Sequence, residues 1–586
     1  MKFKMLSVKE LTDRMRETAG RFPLLVFFLC IGAVNHLYMS FDGTESFKYF
    51  SRNIFMSLLV LIPVLYSIRS LYESRSLGKK ARFAIEMVSI IAAALYFYYL
   101  PKQTLIAFYL SQFSILFISS ILLCLVCIKQ GIGDDNFYWD FHAALFIRLI
   151  ITGIYTLIIL GGTSAALGAT DSLFKTNLFR HHEIRILIVT LWLFAPLFFL
   201  AGVPNLSTEE RVISYRPKWL ESIGVYVMIP LTIVYLGILY AYGVKILFQW
   251  QLPEGTVSYL VLSFAAFGIV SLLIIFPFQK DKSPKWCYWF SKYFYFLQIP
   301  LLFLLFDAIF TRVFTYGITF RRYYLLALAI WLLFLSVFMI IRKNRSIVVI
   351  PFSLLVIGVL SIFGPWSSFN ISYINQRERL LKILASNHLI QNGKVIAAIE
   401  ILPHEVCADI SSITKYLYDY GKLQNLSDLI PSQKALTPES FAKKIGFKYV
   451  ERWNYGRDHF YYQCSNKTLV FPASKYQLLV RFRDNFYSEG REIKRIESGG
   501  LLIEFFPEYA TFQFSGRKSQ KSQIKLEQAA KYFKTESNTS NEGNCNYRFE
   551  DEFFEINCLF DNLSGWEDQS GTHFSSVHVD FLIREK

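Results

Sequence analysis

The chain lacks the short motifs by which many enzymes and nucleotide-binding proteins are recognised. Its 586 residues contain no Walker A sequence, no glycine-rich dinucleotide fingerprint, no G-x-S-x-G and no H-E-x-x-H. These absences exclude the enzyme classes that the motifs define. The sequence therefore predicts no catalytic residue, no cofactor and no metal site, and it leaves open whether the chain is an enzyme.

Cysteine is also scarce, with eight residues in the whole chain. Cys124 and Cys127 form a C-x-x-C pair inside an apolar stretch, where small core residues are expected rather than a redox centre. The histidines, nine in all, show no metal-site spacing. His573 and His578, for example, lack the partners that a metal would need.

No apolar run long enough to cross a bilayer occurs after residue 370, whereas the preceding chain is a near-continuous series of such runs. A helix needs about 20 apolar residues to span roughly 30 Å of hydrocarbon. We therefore predict an α-helical polytopic membrane bundle of about 11 transmembrane helices at 22–368. The predicted spans, with ends placed to about 2 to 4 residues, are 22–41, 53–68, 83–100, 104–128, 138–168, 186–204, 219–248, 256–278, 288–310, 323–341 and 346–364.

The last part of the chain, 369–586, reads as a soluble α+β domain that is helical at 373–446 and mainly β at 459–586. The predicted helices run from Tyr373 to Asn387, from Pro403 to a stop at Gly421, and from Thr437-Pro438 to Gly446. A fourth helix is predicted at 520–533. Alternating patterns predict strands at 476–482, 491–497, 501–506, 509–514 and 576–583.

The positive charge of the chain belongs to its membrane half. The chain has a net charge of +16, but residues from 370 on contribute 28 Lys and Arg against 27 Asp and Glu. The excess therefore lies in the loops between spans, where it indicates membrane orientation rather than nucleic-acid binding. We predict the lipid bilayer as a partner and no nucleic acid.

The distribution of loop charge predicts the orientation. If the N-terminus is cytoplasmic, the inside segments carry 21 Lys and Arg and the outside loops carry 9. Cytoplasmic loops of membrane proteins are enriched in these residues. With 11 spans, this predicts a cytoplasmic segment at 1–21 and an extracytoplasmic C-terminal domain, which in a bacterium is periplasmic.

Two cysteines give an independent argument for the same orientation. Cys545 and Cys558 lie symmetrically about Asp551-Glu552, so a two-residue turn there would pair them closely enough for a disulfide. This register also places Arg548 opposite Glu555, and a disulfide would fit an oxidising compartment. The alternative is two reduced cysteines in a hairpin with a different turn, because Asp-Glu is a poor pair for a tight hairpin turn.

Ionisable residues in or near the spans are the best clue to function, because charge is costly in hydrocarbon and usually faces a cavity or a partner. Arg148 is expected near the middle of the fifth span. Five others fall towards the outer leaflet under the predicted topology, where all six could form a polar intramembrane site: His36, Asp171, Lys245, Asp307 and Arg312.

Each of these residues also has a structural interpretation. Lys245, Arg312 and Asp171 can reach the membrane interface with their polar ends. Arg148 could instead belong to a buried ion pair that holds helices together. Neither interpretation is decided by the sequence.

Several stretches resemble an uncharacterised family of bacterial multi-pass membrane proteins, domain-of-unknown-function family 4153. The stretches are Arg21-Phe22-Pro23-Leu24, Pro230-Leu231, Leu239-Tyr240-Ala241-Tyr242, Leu252-Pro253 with Gly255, Arg312, Tyr316-Gly317-Ile318-Thr319, Arg322-Tyr323 and Asn375-Gln376-Arg377-Glu378-Arg379. The resemblance covers much of 21–380 and implies a bacterial inner-membrane protein. It implies no activity.

Three functions are therefore considered. The first is transport or translocation of a solute or envelope component through the polar intramembrane site. The second is sensing or scaffolding in the cell envelope, in which residues 370–586 bind a protein partner or a ligand. The third is a membrane-embedded enzyme acting on lipid-linked substrates.

Overall fold

The structure is a computed structural model, and its contacts divide the chain into two compact units. One unit comprises Met1–Glu400 and Ile413–Gly446, and the other comprises Ile401–Ser412 and Phe447–Lys586. The structure describes residues 16–40, 45–74, 77–102, 107–128, 135–175, 178–206, 216–249, 256–278, 284–342, 346–398, 402–430, 436–450, 458–463, 476, 478–485, 494–498, 501–506, 509–514, 521–536, 546–568 and 571–586.

Eleven apolar helices in the described residues match the eleven predicted spans one to one. Nine are long and apolar enough to cross a membrane, and the two shorter ones are the first and the last. The predicted membrane bundle is thus confirmed. The helices are α1 Pro23–Met39, α2 Glu45–Glu73, α3 Lys79–Tyr99, α4 Ala107–Val126, α5 Asp135–Phe174, α6 (Leu178–Val189, Thr190–Phe194 and Ala195–Leu200), α7 (Lys218–Ile223, Gly224–Met228 and Ile229–Gln249), α8 Thr256–Ile275, α9 Lys285–Tyr316, α10 Phe320–Ile341 and α11 Val349–Ile362.

Two of the spans contain a π-helical turn just ahead of a proline. In α6 the turn Thr190–Phe194 precedes Pro196, and in α7 the turn Gly224–Met228 precedes Pro230. A proline removes one helical N–H and clashes with the carbonyl four residues earlier. In these wider turns the N–H of Ala195 donates to the carbonyl of Thr190 and that of Ile229 to the carbonyl of Gly224, five residues earlier in each case.

The membrane helices enclose two apolar cores. Residues of α7 to α11 form one core, centred on fully buried side chains such as Phe264 and Leu305. Residues of α1, α2, α5 and α6 form most of the other. Between α4 and α11, a Cβ on Gly358 would lie 2.8 Å from the Ser119 hydroxyl oxygen, so the small residue permits a close helix approach.

Three helices follow the last span: α12 Ser368–Ser386, α13 His404–Asp419 and α14 Pro438–Ile445. The third helix has the capping residues at both ends from which it was predicted. The Thr437 hydroxyl accepts from the Ser440 N–H at 3.1 Å, Ser440 returns the contact, and Gly446 ends the helix in the left-handed conformation. Between α12 and α13 lies a short hairpin of β1 Ile390–Gln391 and β2 Lys394–Val395.

The second unit contains two antiparallel sheets, the helix α15 Leu526–Glu536 and the first part of α13, as far as Ser412. A five-stranded sheet has the order β3-β10-β11-β4 with β9 also paired to β10, and a four-stranded sheet runs β5-β6-β7-β8. Both sheets contribute rings to one core, where Phe482 stacks on Phe505 at 4.0 Å. The predicted α+β character is confirmed. The strands are β3 Asp458–Gln463, β4 Leu478–Asn485, β5 Lys494–Ser498, β6 Leu501–Phe505, β7 Tyr509–Phe514, β8 Lys521–Lys525, β9 Asn546–Glu550, β10 Phe554–Asp568 and β11 Gly571–Glu585.

The predicted register of the last hairpin is wrong by two residues. Cys558 lies opposite Tyr547, and Glu550 lies opposite Glu555. The turn is longer than predicted because the Asp551 carboxylate accepts from the N–H groups of Phe553 and Phe554, at 2.9 and 2.8 Å. A shift of two keeps each side chain on its predicted face.

Only one cysteine of the predicted pair lies within the described residues. Cys545 lies outside the described residues, and Cys558 is a fully buried free thiol. Burial raises the pKa of that thiol well above its usual range. The disulfide therefore stays a prediction without the register that motivated it.

The helix predicted at 520–533 is also partly wrong. Its first residues form strand β8, and the helix begins only at Leu526. The burial alternates along the strand, with Ser522 and Ile524 buried and Gln523 and Lys525 exposed. That two-residue period is the pattern of a strand with one buried face.

One polar side chain in the first core has no partner. Gln298 of α9 is fully buried, and neither polar atom of its amide has a hydrogen-bond partner among the described residues. A buried polar group without a partner loses its hydration and gains nothing in return. Gln298 therefore destabilises the folded bundle.

We expect Gln298→Met to stabilise the protein. The change keeps the length of the side chain and removes the unpaired amide, so the free energy of unfolding should rise by about 1–3 kcal/mol. Thermal unfolding in detergent measures the effect, with Gln249→Met at the exposed end of α7 as the control. A loss of stability in Gln298→Met would mean that the amide has a partner, such as a buried water.

Candidate functional site

Arg148 contacts the end of a neighbouring span. Its guanidinium donates to the carbonyl of Phe198, lies 4.0 Å from the centroid of the Phe198 ring and packs against Gly202. Helix α6 ends at Leu200, so Arg148 lies at the depth of a helix terminus rather than in the middle of the bundle. The cation faces the negative end of the α6 dipole and pairs with a carbonyl that the helix leaves free.

His36 contacts a different turn of the same helix. Its ring packs at 4.8 Å from Phe55 and 5.4 Å from Trp192, and its Nδ1 lies 3.2 Å from the Gly32 carbonyl. Trp192 belongs to the π-helical turn of α6, and Arg148 contacts α6 six residues further on. His36 and Arg148 therefore both contact α6, but at different turns and with different neighbours.

The other four candidates lie at the surface of the bundle. Lys245 and Asp307 are exposed, and Arg312 and Asp171 are half-buried. In the described part of the chain, no ion pair involves Lys245, Asp307 or Arg312. Exposed and half-buried positions suit the interfacial interpretation. A shared polar site built from all six residues stays a prediction.

Ionisable residues do converge at one end of the bundle, around Glu73 at the end of α2. Arg21 binds the Glu73 carboxylate through two bonds of 2.9 and 2.6 Å, and Arg69 adds a third at 3.0 Å. Arg21 also donates to the carbonyls of Val203 and Pro204, at 2.7 and 2.9 Å. The fork of one arginine thus joins the start of α1, the end of α2 and the chain that follows α6.

A second polar cluster lies around the turn Tyr316–Thr319 between α9 and α10. Side chains of α12 hold this turn. The Asn375 side-chain oxygen accepts from the Ile318 N–H at 2.6 Å, and the Gln376 amide donates to the carbonyls of Tyr316 and Ile318, each at 3.1 Å. Arg379 adds a bond to the Tyr316 carbonyl at 3.2 Å. We call this arrangement the turn clamp.

Gly317 permits the turn clamp for two reasons. Its backbone has φ 73° and ψ 176°, a conformation that is essentially open only to glycine. A Cβ at this position would lie 2.6 Å from the Asn375 oxygen and 2.7 Å from the Gln376 nitrogen. From α10, Arg322 donates to the carbonyls of Tyr316 and Gly317 at 3.2 and 2.8 Å. The end of α9 is therefore paired on several sides.

Helix α13 closes the turn clamp from a further side. The Tyr416 hydroxyl accepts from the Phe320 N–H at 2.9 Å, at the first residue of α10. Burial raises the pKa of Tyr416 to about 12, so its hydroxyl stays protonated at physiological pH. The Phe320 ring also stacks on Phe369 at 5.0 Å, and Phe369 lies 4.4 Å from Phe108 of α4. These contacts all lie within the first compact unit.

Sequence reasoning about charged residues missed this cluster. Its key members, Asn375 and Gln376, are uncharged and lie after the last span. They did appear among the stretches that carry the family resemblance, as did Tyr316-Gly317-Ile318-Thr319 and Arg322. Two of those stretches, 60 residues apart in sequence, thus meet in one hydrogen-bonded cluster.

Comparison with known proteins shows the family of the chain. A family model described as "Domain of unknown function (DUF4153)" matches residues 24–392. The chain belongs to this family. It is also similar to the "Uncharacterized protein PM1469" of Pasteurella multocida (strain Pm70), with 23% identity over 471 residues that cover 79% of this chain and 74% of that protein. No solved structure matches the chain.

The match to the DUF4153 family ends soon after α12, so it includes both sides of the turn clamp. The family brings no activity to this chain. In the residues described, no group of three or more His, Cys, Asp and Glu side chains is placed to hold a metal ion. The clamp is the best-defined polar site of the matched region, and its groups bind backbone atoms.

We expect Gly317→Ala to loosen the turn clamp. The added methyl group must displace Asn375 or Gln376, and the backbone strain adds to this cost, so the free energy of unfolding should fall by about 3 kcal/mol or more. Gly393→Ala is the control for a positive φ, because Gly393 also has a φ of 73° but has nothing within 4 Å of its Cβ. The control should lose only about 1–2 kcal/mol.

Thermal unfolding of both variants in detergent gives the comparison. The difference between them measures the contacts of α12 together with the stricter backbone requirement at Gly317, whose ψ is 176°. Equal losses in Gly317→Ala and Gly393→Ala would show that α12 does not hold the turn.

Proposed function

We propose that this membrane protein is an envelope scaffold whose C-terminal β unit binds a protein partner. One observation carries the proposal. The ionisable and amide groups that converge in the membrane unit bind helix ends and each other, whereas the five-stranded sheet of the second unit exposes a broad polar face. That sheet therefore offers polar groups that another molecule could bind.

The exposed face carries charged residues in cross-strand pairs. Arg481 binds Asp580 at 2.9 Å, and Arg483 binds Asp561 at 2.7 Å. Further along the sheet, Glu555 accepts from Arg548 at 2.7 Å. Exposed pairs of this kind add little to stability, since water competes for both charges. They do present a fixed pattern of both signs, which is what selects a partner across a polar interface.

The other two functions have less support from the described residues. Transport through a polar site would be favoured by a shared cavity around Arg148, Lys245, Asp307 and Arg312, but Arg148 contacts the end of α6 and the others lie towards the surface. An enzyme acting on lipid-linked substrates would need carboxylates or histidines converging at one membrane surface. A partner-binding scaffold requires neither.

The location is part of the same proposal. We place the protein in a bacterial inner membrane, with the N-terminus in the cytoplasm and the β unit outside it. The 21 to 9 distribution of Lys and Arg between the two sets of loops supports this orientation. A partner would then be another protein of the cell envelope.

Protease added to intact spheroplasts tests the orientation. The tail after residue 446 should be digested while the cytoplasmic loops stay protected, because only the outer side is accessible. Antibodies against tags at residues 1 and 586 detect the two ends. Digestion of the C-terminal tag only after lysis would contradict the orientation.

Photo-crosslinking tests the binding face. Arg483→benzoylphenylalanine should yield one discrete adduct in living cells, because position 483 is 51% exposed on the five-stranded sheet. Arg495→benzoylphenylalanine is the control: that residue is 66% exposed but lies on the four-stranded sheet, where it pairs with Glu504. The control should yield no adduct of the same mass.

A functional readout accompanies the crosslink. Arg481→Glu combined with Arg483→Glu should abolish both the adduct from a probe at His578 and complementation of a deletion strain under envelope stress. The folded state should lose little stability, since the pairs are exposed to water. Full complementation by a chain lacking 447–586, or no adduct from position 483 in the full-length chain, would refute the proposal.

A further inference from the structure

A groove of about 520 Å³ runs along the surface of the first span. Its walls are apolar, and its volume lies in the range of small-molecule pockets. The residues that line it include Phe27, Cys30, Ile31, Val34 and Tyr38 of α1 and Phe47 of α2.

The floor and one end of the groove are closed by contacts between α1 and α2. Buried Asn35 donates its amide N–H to the Ser51 carbonyl at 3.1 Å, so the polar group in the floor is already engaged. At the end near residue 40, the rings of Tyr38 and Phe47 meet edge to face at 4.6 Å. No other described residue lines the groove.

The groove opens towards hydrocarbon rather than water. Its rim residues Phe27, Val34 and Tyr38 are 57%, 65% and 60% exposed, on a helix whose residues are almost all apolar. On a membrane helix such a surface is continuous with the face that contacts lipid. The groove runs from position 27 to position 38, which is about 16 Å along a helix. This is about half of the roughly 30 Å hydrocarbon thickness, the depth of one leaflet.

We propose that the groove binds one acyl chain of a membrane lipid. The chain lies along α1 within a single leaflet, with its methyl end near Phe27. Tyr38 lies at the closed end, at the depth where the amphipathic rings of membrane proteins meet lipid headgroups. The binding energy comes from packing in a preformed groove, so the headgroup does not determine the fit.

Filling the groove tests this inference. Val34→Trp places an indole where the acyl chain would lie, whereas Val88→Trp puts the same ring on α3, where valine is also 65% exposed. Both variants are purified full-length from membranes at detergent levels that remove loosely held lipid. Native mass spectrometry then counts the phospholipids retained per chain.

We expect the wild type and Val88→Trp to retain one phospholipid per chain and Val34→Trp to lose it. Exchange of purified protein into defined phosphatidylglycerol or phosphatidylethanolamine should restore one bound lipid in either case, because the acyl chain is what fits. Retention by Val34→Trp equal to that of Val88→Trp, or no lipid retained by the wild type, would overturn the proposal.

A smaller substitution separates loss of lipid binding from misfolding of the Val34→Trp variant. Val34→Phe should lower retention several-fold with an unchanged gel-filtration profile. Cys30 offers a second readout, because it is an exposed thiol in the groove. Attachment of an alkyl chain to Cys30 should displace the lipid, and retention after complete alkylation would also count against the groove.

Discussion

The turn between α9 and α10 is held by hydrogen bonds from a helix that begins 50 residues later. Asn375, Gln376 and Arg379 of α12 bind the backbone of Tyr316 and Ile318, and Gly317 leaves the space in which they fit. A helix that ends in a membrane leaves several carbonyls without donors, and each unpaired group costs free energy in a medium of low polarity. The clamp supplies those donors from residues after the last span. We therefore expect the stability of the bundle to depend on helix α12, which follows it.

The same principle explains where the arginines lie. Arg148 pairs with the end of α6, Arg21 with Glu73 and with the chain after α6, and Arg322 with the end of α9. A guanidinium has five N–H donors in a rigid fork, so one side chain can pair with a carboxylate and two carbonyls. Charge in this bundle thus completes the hydrogen bonding of helix ends. An arginine in an apolar sequence suggests a functional role, but its hydrogen-bond partners show whether that role is structural.

Local patterns were sufficient to predict much of the fold. All eleven apolar helices, the three helices after them and the capping residues Thr437 and Gly446 follow from length, periodicity and local hydrogen bonding. The failures have identifiable causes. The Asp551 carboxylate binds two N–H groups, so the turn is longer than the predicted two residues. Strand β8 runs directly into α15, and no glycine, proline or turn sequence separates them. The turn clamp joins residues about 60 apart, and uncharged Asn375 and Gln376 gave no signal of such a contact. Their place among the stretches of family resemblance was the available clue.

The first compact unit extends well beyond the last span, since it includes Ile413–Gly446. Hydrogen exchange of the full-length protein in detergent measures most directly whether α12 and the preceding helices unfold together. As denaturant is raised, the amides of α12 should open with the same free energy as those of α10, because the clamp makes them one cooperative segment. Exchange of the α12 amides at much lower denaturant, independently of α10, would contradict the account.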